Sequence, residues 1–199
     1  LTKDFYSACY PEVSYDGRYM LFSGQKSKGD PWQIYEMEIK KGKTRKIFSA
    51  DTDFTDPVYL PAGRLAFTRH TINDTVKSAE CLYTGNLDGT GIMQITFGPY
   101  ENFATTVLND GRLLTVSRVL LPEAADPVLT VLRPDGTKAD MFYKNAEGNV
   151  LKSRARETDE GRIFFIETDK NYSSKGDVVS ITYNRPLHSR INHTSGISG

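Results

Sequence analysis

Histidine, cysteine and tryptophan are scarce in this chain of 199 residues, which has three His, two Cys and one Trp. Two isolated cysteines, Cys9 and Cys81, cannot assemble a cysteine-rich zinc site. They read as two buried thiols, with a disulfide left open because spacing alone cannot establish one. No Cys-x-x-Cys-His occurs, which excludes a covalently attached c-type haem. Gly-x-Ser-x-Gly and His-Glu-x-x-His are absent too, and with them two familiar hydrolase centres. Charge of either sign is not in excess: Lys+Arg and Asp+Glu are 25 each. That balance argues against a general nucleic-acid binder and against a surface held to anionic lipid by charge. No apolar run approaches membrane-spanning length, so no transmembrane segment is expected. The opening Leu1-Thr2-Lys3-Asp4 reads as a mature or trimmed start, and the lack of a leader says little about compartment.

What is present is a repeat. Asp16-Gly17, Ala62-Gly63, Asp110-Gly111 and Glu160-Gly161 form one series, and each Gly is followed by Arg and a strand-like apolar run. Lys41-Gly42, Asp88-Gly89 and Asp135-Gly136 form a second series, with Tyr183-Asn184 in the fourth place. Asn is the residue that most often replaces Gly at positive φ. Asp-Gly between apolar runs signals a tight hairpin in which both central residues take positive φ. Two hairpins per unit give strands A, B, C and D of a four-stranded antiparallel sheet. Such a unit of about 40–50 residues, repeated in tandem, marks a β-propeller blade. The expected fold class is therefore all-β, a single propeller region over 1–199 with blades near 9–55, 56–103, 104–151 and 152–199. Helix should be scarce, because no window shows a 3.6-residue apolar period. An all-β sandwich would not explain why Gly-Arg-apolar recurs in phase.

The blades resemble the TolB-like, or WD40-like (PD40), propeller repeat. The residues that carry the likeness are Ser14-Tyr15-Asp16-Gly17-Arg18, Ile34-Tyr35-Glu36-Met37-Glu38, Leu87-Asp88-Gly89-Thr90 and Gln94-Ile95-Thr96. The chain departs from that pattern at Tyr15, where the repeat has Pro, and in blade four, which lacks its second Asp-Gly. A narrower likeness, through Trp32-Gln33-Ile34-Tyr35-Glu36-Met37, Asp56-Pro57-Val58-Tyr59-Leu60-Pro61-Ala62-Gly63-Arg64 and Arg133-Pro134-Asp135-Gly136-Thr137, is to the middle propeller domain of hydrazine synthase alpha subunits and related bacterial proteins. It implies scaffold and not haem chemistry. Propellers of this kind usually have more than four blades, so the four are expected to be part of a larger propeller. The resemblance also implies a bacterial exported protein, periplasmic or at the cell surface, with lipid anchoring in the full-length protein as an option.

No catalytic residue, metal ligand or cofactor is assigned. Asp51, Asp53 and Asp56 could in principle offer oxygen ligands to Ca²⁺, but they suit turn starts better. Gly24 and Gly29 have phosphate-loop spacing, yet Asp30 stands where a cation is needed. His188 and His193 read as surface histidines. The longer B–C connections, Gly24 to Pro31, Arg69 to Glu80, Arg118 to Pro127 and Thr168 to Asp177, are where specificity is expected, because variable loops on a rigid scaffold usually carry binding. Arg69 and Arg118 recur near the end of strand B, with His70 beside the first, and are the candidate ligand-binding residues. The expected function is a non-enzymatic binding or docking module, taking a protein or a small anionic or carbohydrate ligand on the B–C loop face. Two alternatives stand beside it: a propeller enzyme acting on carbohydrate, and an accessory domain of a larger redox protein.

Overall fold

A computed structural model describes residues 2–72, 78–145, 149–151, 153–168 and 176–194. Two compact units, Leu1–Gly98 and Pro99–Gly199, divide the chain, and each is described by itself. Among the described residues there is no helix.

The first unit holds two sheets. Strands β1 (Ser7–Val13), β2 (Tyr19–Gln25), β3 (Gln33–Glu38) and β4 (Lys43–Lys46) pair antiparallel in chain order. Strands β5 (Phe54–Leu60), β6 (Arg64–Thr71), β7 (Ala79–Asn86) and β8 (Met93–Gln94) repeat the arrangement. The second unit does so twice more. Its first sheet is β9 (Tyr100–Val107), β10 (Leu113–Val119), β11 (Val128–Leu132) and β12 (Asp140–Tyr143). In its second, β13 (Val150–Leu151) and β14 (Arg156–Glu157) both pair with β15 (Arg162–Thr168), which continues to β16 (Gly176–Thr182) and β17 (Ile191–Asn192). The fold is an all-β propeller of four-stranded antiparallel blades.

The Ala62-Gly63 turn is of the expected hairpin type, with φ of 59° and 70°, but the other three of its series differ. Gly17, Gly111 and Gly161 take positive φ, but Asp16, Asp110 and Glu160 do not. Each glycine instead closes a turn with its N–H on the carbonyl three residues back: Ser14 at 2.8 Å, Leu108 at 2.8 Å and Thr158 at 2.9 Å. The aspartates explain the preference. Asp16, Asp110, Asp88 and Asp135 each accept the backbone N–H two residues on, at 2.9–3.1 Å. That side-chain turn holds the Asp at ordinary φ and leaves only Gly in the left-handed region. Asn184 is a second correction. It does not take positive φ, and in its place a longer connection is pinned by the Arg185 carbonyl, which accepts the N–H groups of His188 and Ser189.

A feature with no sequence signature recurs in strand A. Tyr10, Asp56 and Ala104 take φ of 54°, 54° and 53°, and each lies in a β-bulge just beyond the pairs Cys9–Ser23, Thr55–Thr68 and Phe103–Val116. Strand A therefore bends at the same place in three blades. In the fourth it breaks into β13 and β14.

Blade-on-blade packing inside each unit uses matching faces. In the first unit β5 lies across β1, β2 and β3. Leu21, Ser23, Ile34 and Glu36 are all buried on the face that meets it, and Ser23 Oγ accepts the Asp56 N–H at 3.1 Å. The opposite face of the first blade buries Phe22, Tyr35 and Met37 under Phe5, whose ring is edge-on to Phe22 (5.1 Å) and Tyr35 (4.7 Å). In the second unit Leu114, Val116, Leu129 and Val131 form one core with Leu151, Ala155, Ile163, Phe165, Val179 and Ile181.

Each of these blade-to-blade seams is closed by a buried glutamate. Glu36 accepts the Tyr59 hydroxyl (3.0 Å) and the Arg45 guanidinium (2.8 Å from Nε). Glu167, whose side chain is fully buried, accepts the Tyr143 hydroxyl (2.7 Å) and Arg190 Nη2 (2.7 Å). Burial, followed by the neighbouring glutamate, pushes both tyrosine hydroxyls well above the usual range.

Candidate functional site

The candidate residues sit where strand B meets the B–C connection. Arg69 pairs with Phe54 in the ladder of β5 and β6. Its guanidinium lies 5.3 Å from the Phe54 ring and 5.4 Å from the Tyr83 ring, and Nε donates to Thr52 Oγ1 at 3.2 Å. No ion pair to Arg69 occurs among the described residues. The segment carrying Thr52 is itself fixed, since the Gln33 side-chain amide donates to the carbonyls of Ala50 and Thr52, and Asp53 accepts the Trp32 N–H at 2.8 Å. Arg69 is thus a half-buried cation near two aromatic rings, with one hydrogen bond to the segment that carries Thr52.

His70 points to the other face of the same sheet and pairs across the strand with Glu80, Nδ1 to Oε1 at 3.6 Å. Its backbone N–H reaches the Asp53 carbonyl at 3.2 Å. Arg118 in the second unit pairs with Glu101, directly opposite it in the ladder of β9 and β10.

Register separates the two arginines. Arg69 stands one residue beyond Thr68, the bulge partner in its blade, whereas Arg118 stands two beyond Val116. Arg118 therefore matches His70 and not Arg69. A one-residue offset in a strand places side chains on opposite faces. The arginines recur in sequence without recurring in blade position. The connections 69–80 and 168–177 also contain residues 73–77 and 169–175, which lie outside the described residues.

The aspartates expected at turn starts are in use as such or buried: Asp53 caps Trp32, and Asp56 sits buried in its bulge. Among the described residues no group of three His, Cys, Asp or Glu side chains is arranged to hold a metal ion. Cys9 and Cys81 are both free thiols, and burial pushes the Cys9 thiol up to about 11.

Sequence reasoning missed two open grooves. One, of about 580 Å³ in the first unit, runs between Tyr15, Tyr19, Tyr59, Pro61 and Arg45. The other, of about 690 Å³ in the second unit, is lined by Met141, Lys144, Arg185, Leu187 and His188 among others. The first involves the tight A–B turns of two successive blades, and the second the longer connection after β16 beside β12. In both, the space lies between successive blades and not within one turn.

No protein-family model matches the sequence, and a search of curated proteins finds no match. Solved structures do match. The chain is similar over 100% of its length to hydrazine synthase of Kuenenia stuttgartiensis, at 20% identity and a TM-score of 0.82, spanning 34% of that chain. TolB of Acinetobacter baumannii aligns with 96% of this chain and 43% of its own, at 16% identity and a TM-score of 0.67. Oligogalacturonate lyase of Vibrio parahaemolyticus aligns with 96% of this chain and 55% of its own, at 14% identity and a TM-score of 0.66. This chain thus spans well under two thirds of each. No helix among the described residues is long and apolar enough to cross a membrane. In fold, the chain is a TolB-like β-propeller that also resembles part of hydrazine synthase.

Proposed function

We propose that the chain is a non-enzymatic propeller binding module of an exported bacterial protein, periplasmic or at the cell surface, taking an anionic ligand on the B–C side through Arg69. The observation that carries this reading is the state of Arg69: oriented by Phe54, Tyr83 and Thr52, partly exposed, and without a carboxylate partner among the described residues. A guanidinium so placed offers paired donors to a carboxylate or phosphate with little rotamer freedom left to lose. Support for a binding role over catalysis comes from His70 and Arg118, each engaged by a glutamate across its strand. The TolB-like fold supports the exported setting.

The test is calorimetric titration with inorganic phosphate and with an oligogalacturonate, an acidic sugar chosen because one fold neighbour is named for acting on it. Arg69→Ala should weaken binding by about tenfold or more, the scale of one charge-assisted contact. Arg118→Ala should lower the melting temperature and leave binding intact. Equal binding by wild type and Arg69→Ala would overturn the assignment. Turnover of the oligogalacturonate would overturn the non-enzymatic reading.

A further inference from the structure

The groove of the second unit has an uneven charge. Lys144, Arg185 and His188 line it, all exposed, and no acidic side chain joins them among the described lining residues. Neither Lys144 nor Arg185 has a side-chain ion pair among the described residues. The buried Glu167 carboxylate, to which the groove residue Tyr143 donates, is already occupied by that hydroxyl and by Arg190. In a chain of zero net charge, this is a local excess of positive charge.

The same groove is apolar at its rim. Met141 is 66% exposed and Leu187 63% exposed, on opposite walls. One wall is β12 and the residues just after it, and among the described residues β12 is the outermost strand of its sheet, paired on one side only with β11. An outermost strand presents unpaired backbone groups that an extended chain can complete. The other wall is the connection from Asn184 to His188. It is held in place by the Arg185 carbonyl, which accepts from His188 N, Ser189 N and Ser189 Oγ, and by Ser189 Oγ, which accepts the Thr182 N–H at 2.7 Å. A groove with pinned walls loses little freedom on binding. Its volume suits a short segment of chain.

We infer that this groove docks an extended acidic peptide segment of a partner protein, laid beside β12 with its carboxylates on Lys144, Arg185 and His188 and an apolar side chain between Met141 and Leu187. Backbone pairing along β12 supplies affinity. The Lys144 and Arg185 cations select acidic sequence, and the Met141–Leu187 gap selects an apolar residue next to it. Arg69 is not among the residues lining this groove, so success or failure here is independent of the anion reading above.

The probe is a fluorescein-labelled octapeptide of alternating glutamate and valine, followed by anisotropy. The same peptide with lysine for glutamate, one with serine for valine, and anionic phosphatidylglycerol vesicles serve as comparisons. The glutamate–valine peptide should bind, and raising the salt should weaken it, since surface charge pairs are screened. The double variant Lys144→Glu, Arg185→Glu should bind it about tenfold more weakly or worse, with an unchanged melting temperature, because both side chains are exposed. Met141→Ser with Leu187→Ser should weaken it severalfold, whereas Arg69→Ala should not affect it. Binding of the lysine peptide as tightly, an unaffected charge-reversed variant, or binding of vesicles without binding of the peptide would each overturn the proposal.

Discussion

Glu167→Ala should destabilise the protein by about 3–5 kcal/mol, because it leaves Arg190 and the Tyr143 hydroxyl without their shared partner at a buried seam. For a chain of this size that corresponds to a fall of roughly 10 °C in melting temperature. Tyr143→Phe removes one hydrogen bond to the carboxylate and should cost about 1.5–3 kcal/mol. The two values, read from chemical denaturation, should keep that order. The same site predicts a pH dependence. Burial alone would raise the Glu167 carboxyl, but the bonds from Arg190 and Tyr143 outweigh it and the net shift is downward from the ordinary 4.5. A depressed carboxylate stabilises the folded state above its unfolded value and loses that contribution as pH falls through its folded value. Wild type should therefore lose stability below the ordinary glutamate range, and Glu167→Ala should show less of that loss. A flat difference between the two from neutral to acidic pH would contradict this account of the seam.

Phe67→Ala should cost about 3–5 kcal/mol as well, for a different reason. Phe67 is fully buried at the centre of an aromatic cluster, with ring centroids 5.0 Å from Phe48, 5.1 Å from Phe54 and 5.9 Å from Tyr83. Truncation leaves a cavity that its three close-packed aromatic neighbours cannot close. Phe67→Leu keeps most of the volume and should cost about half as much or less. Denaturation that finds Phe67→Ala within about 1 kcal/mol of wild type would mean that this cluster is not packed as described. The cluster also orients Arg69, so a binding measurement on Phe67→Leu separates the two roles: modest loss of stability with weakened anion binding shows that the rings position the guanidinium.

Much of the fold was legible because turns carry chemistry that strands do not. Gly17, Gly63, Gly111 and Gly161 stand at backbone positions where φ is positive, and such positions select glycine strongly enough to expose a four-fold repeat in one sequence. The turn type was right at Ala62-Gly63 and misjudged at Asp16-Gly17 and Asp110-Gly111, since a carboxylate two residues before a backbone N–H can close the turn without itself entering the left-handed region. The strand-A bulge was invisible. Tyr10, Asp56 and Ala104 share a conformation and no side-chain property, so the backbone geometry must be imposed by the surrounding ladder. Arg69 and Arg118 show the same limit in the candidate site. Their spacing resembles the repeat length, but the residue-level register set by the bulge places them one residue apart in the blade frame. The grooves were missed because they are made between blades, from residues such as Tyr15 and Tyr59 or Met141 and Leu187 that are far apart in sequence and individually ordinary.

Four blades, three of them bent alike at strand A, are tested most directly by solution NMR. Cross-strand Hα or amide NOEs should join Cys9 to Ser23, Thr55 to Thr68 and Phe103 to Val116, and the ladder should be interrupted just beyond each pair. Backbone couplings and chemical shifts at Tyr10, Asp56 and Ala104 should report positive φ. Uninterrupted ladders through those three residues, or a shift of one residue in any of the three pairings, would contradict that arrangement, because every side chain assigned to a face, Arg69 included, would then stand on the other one.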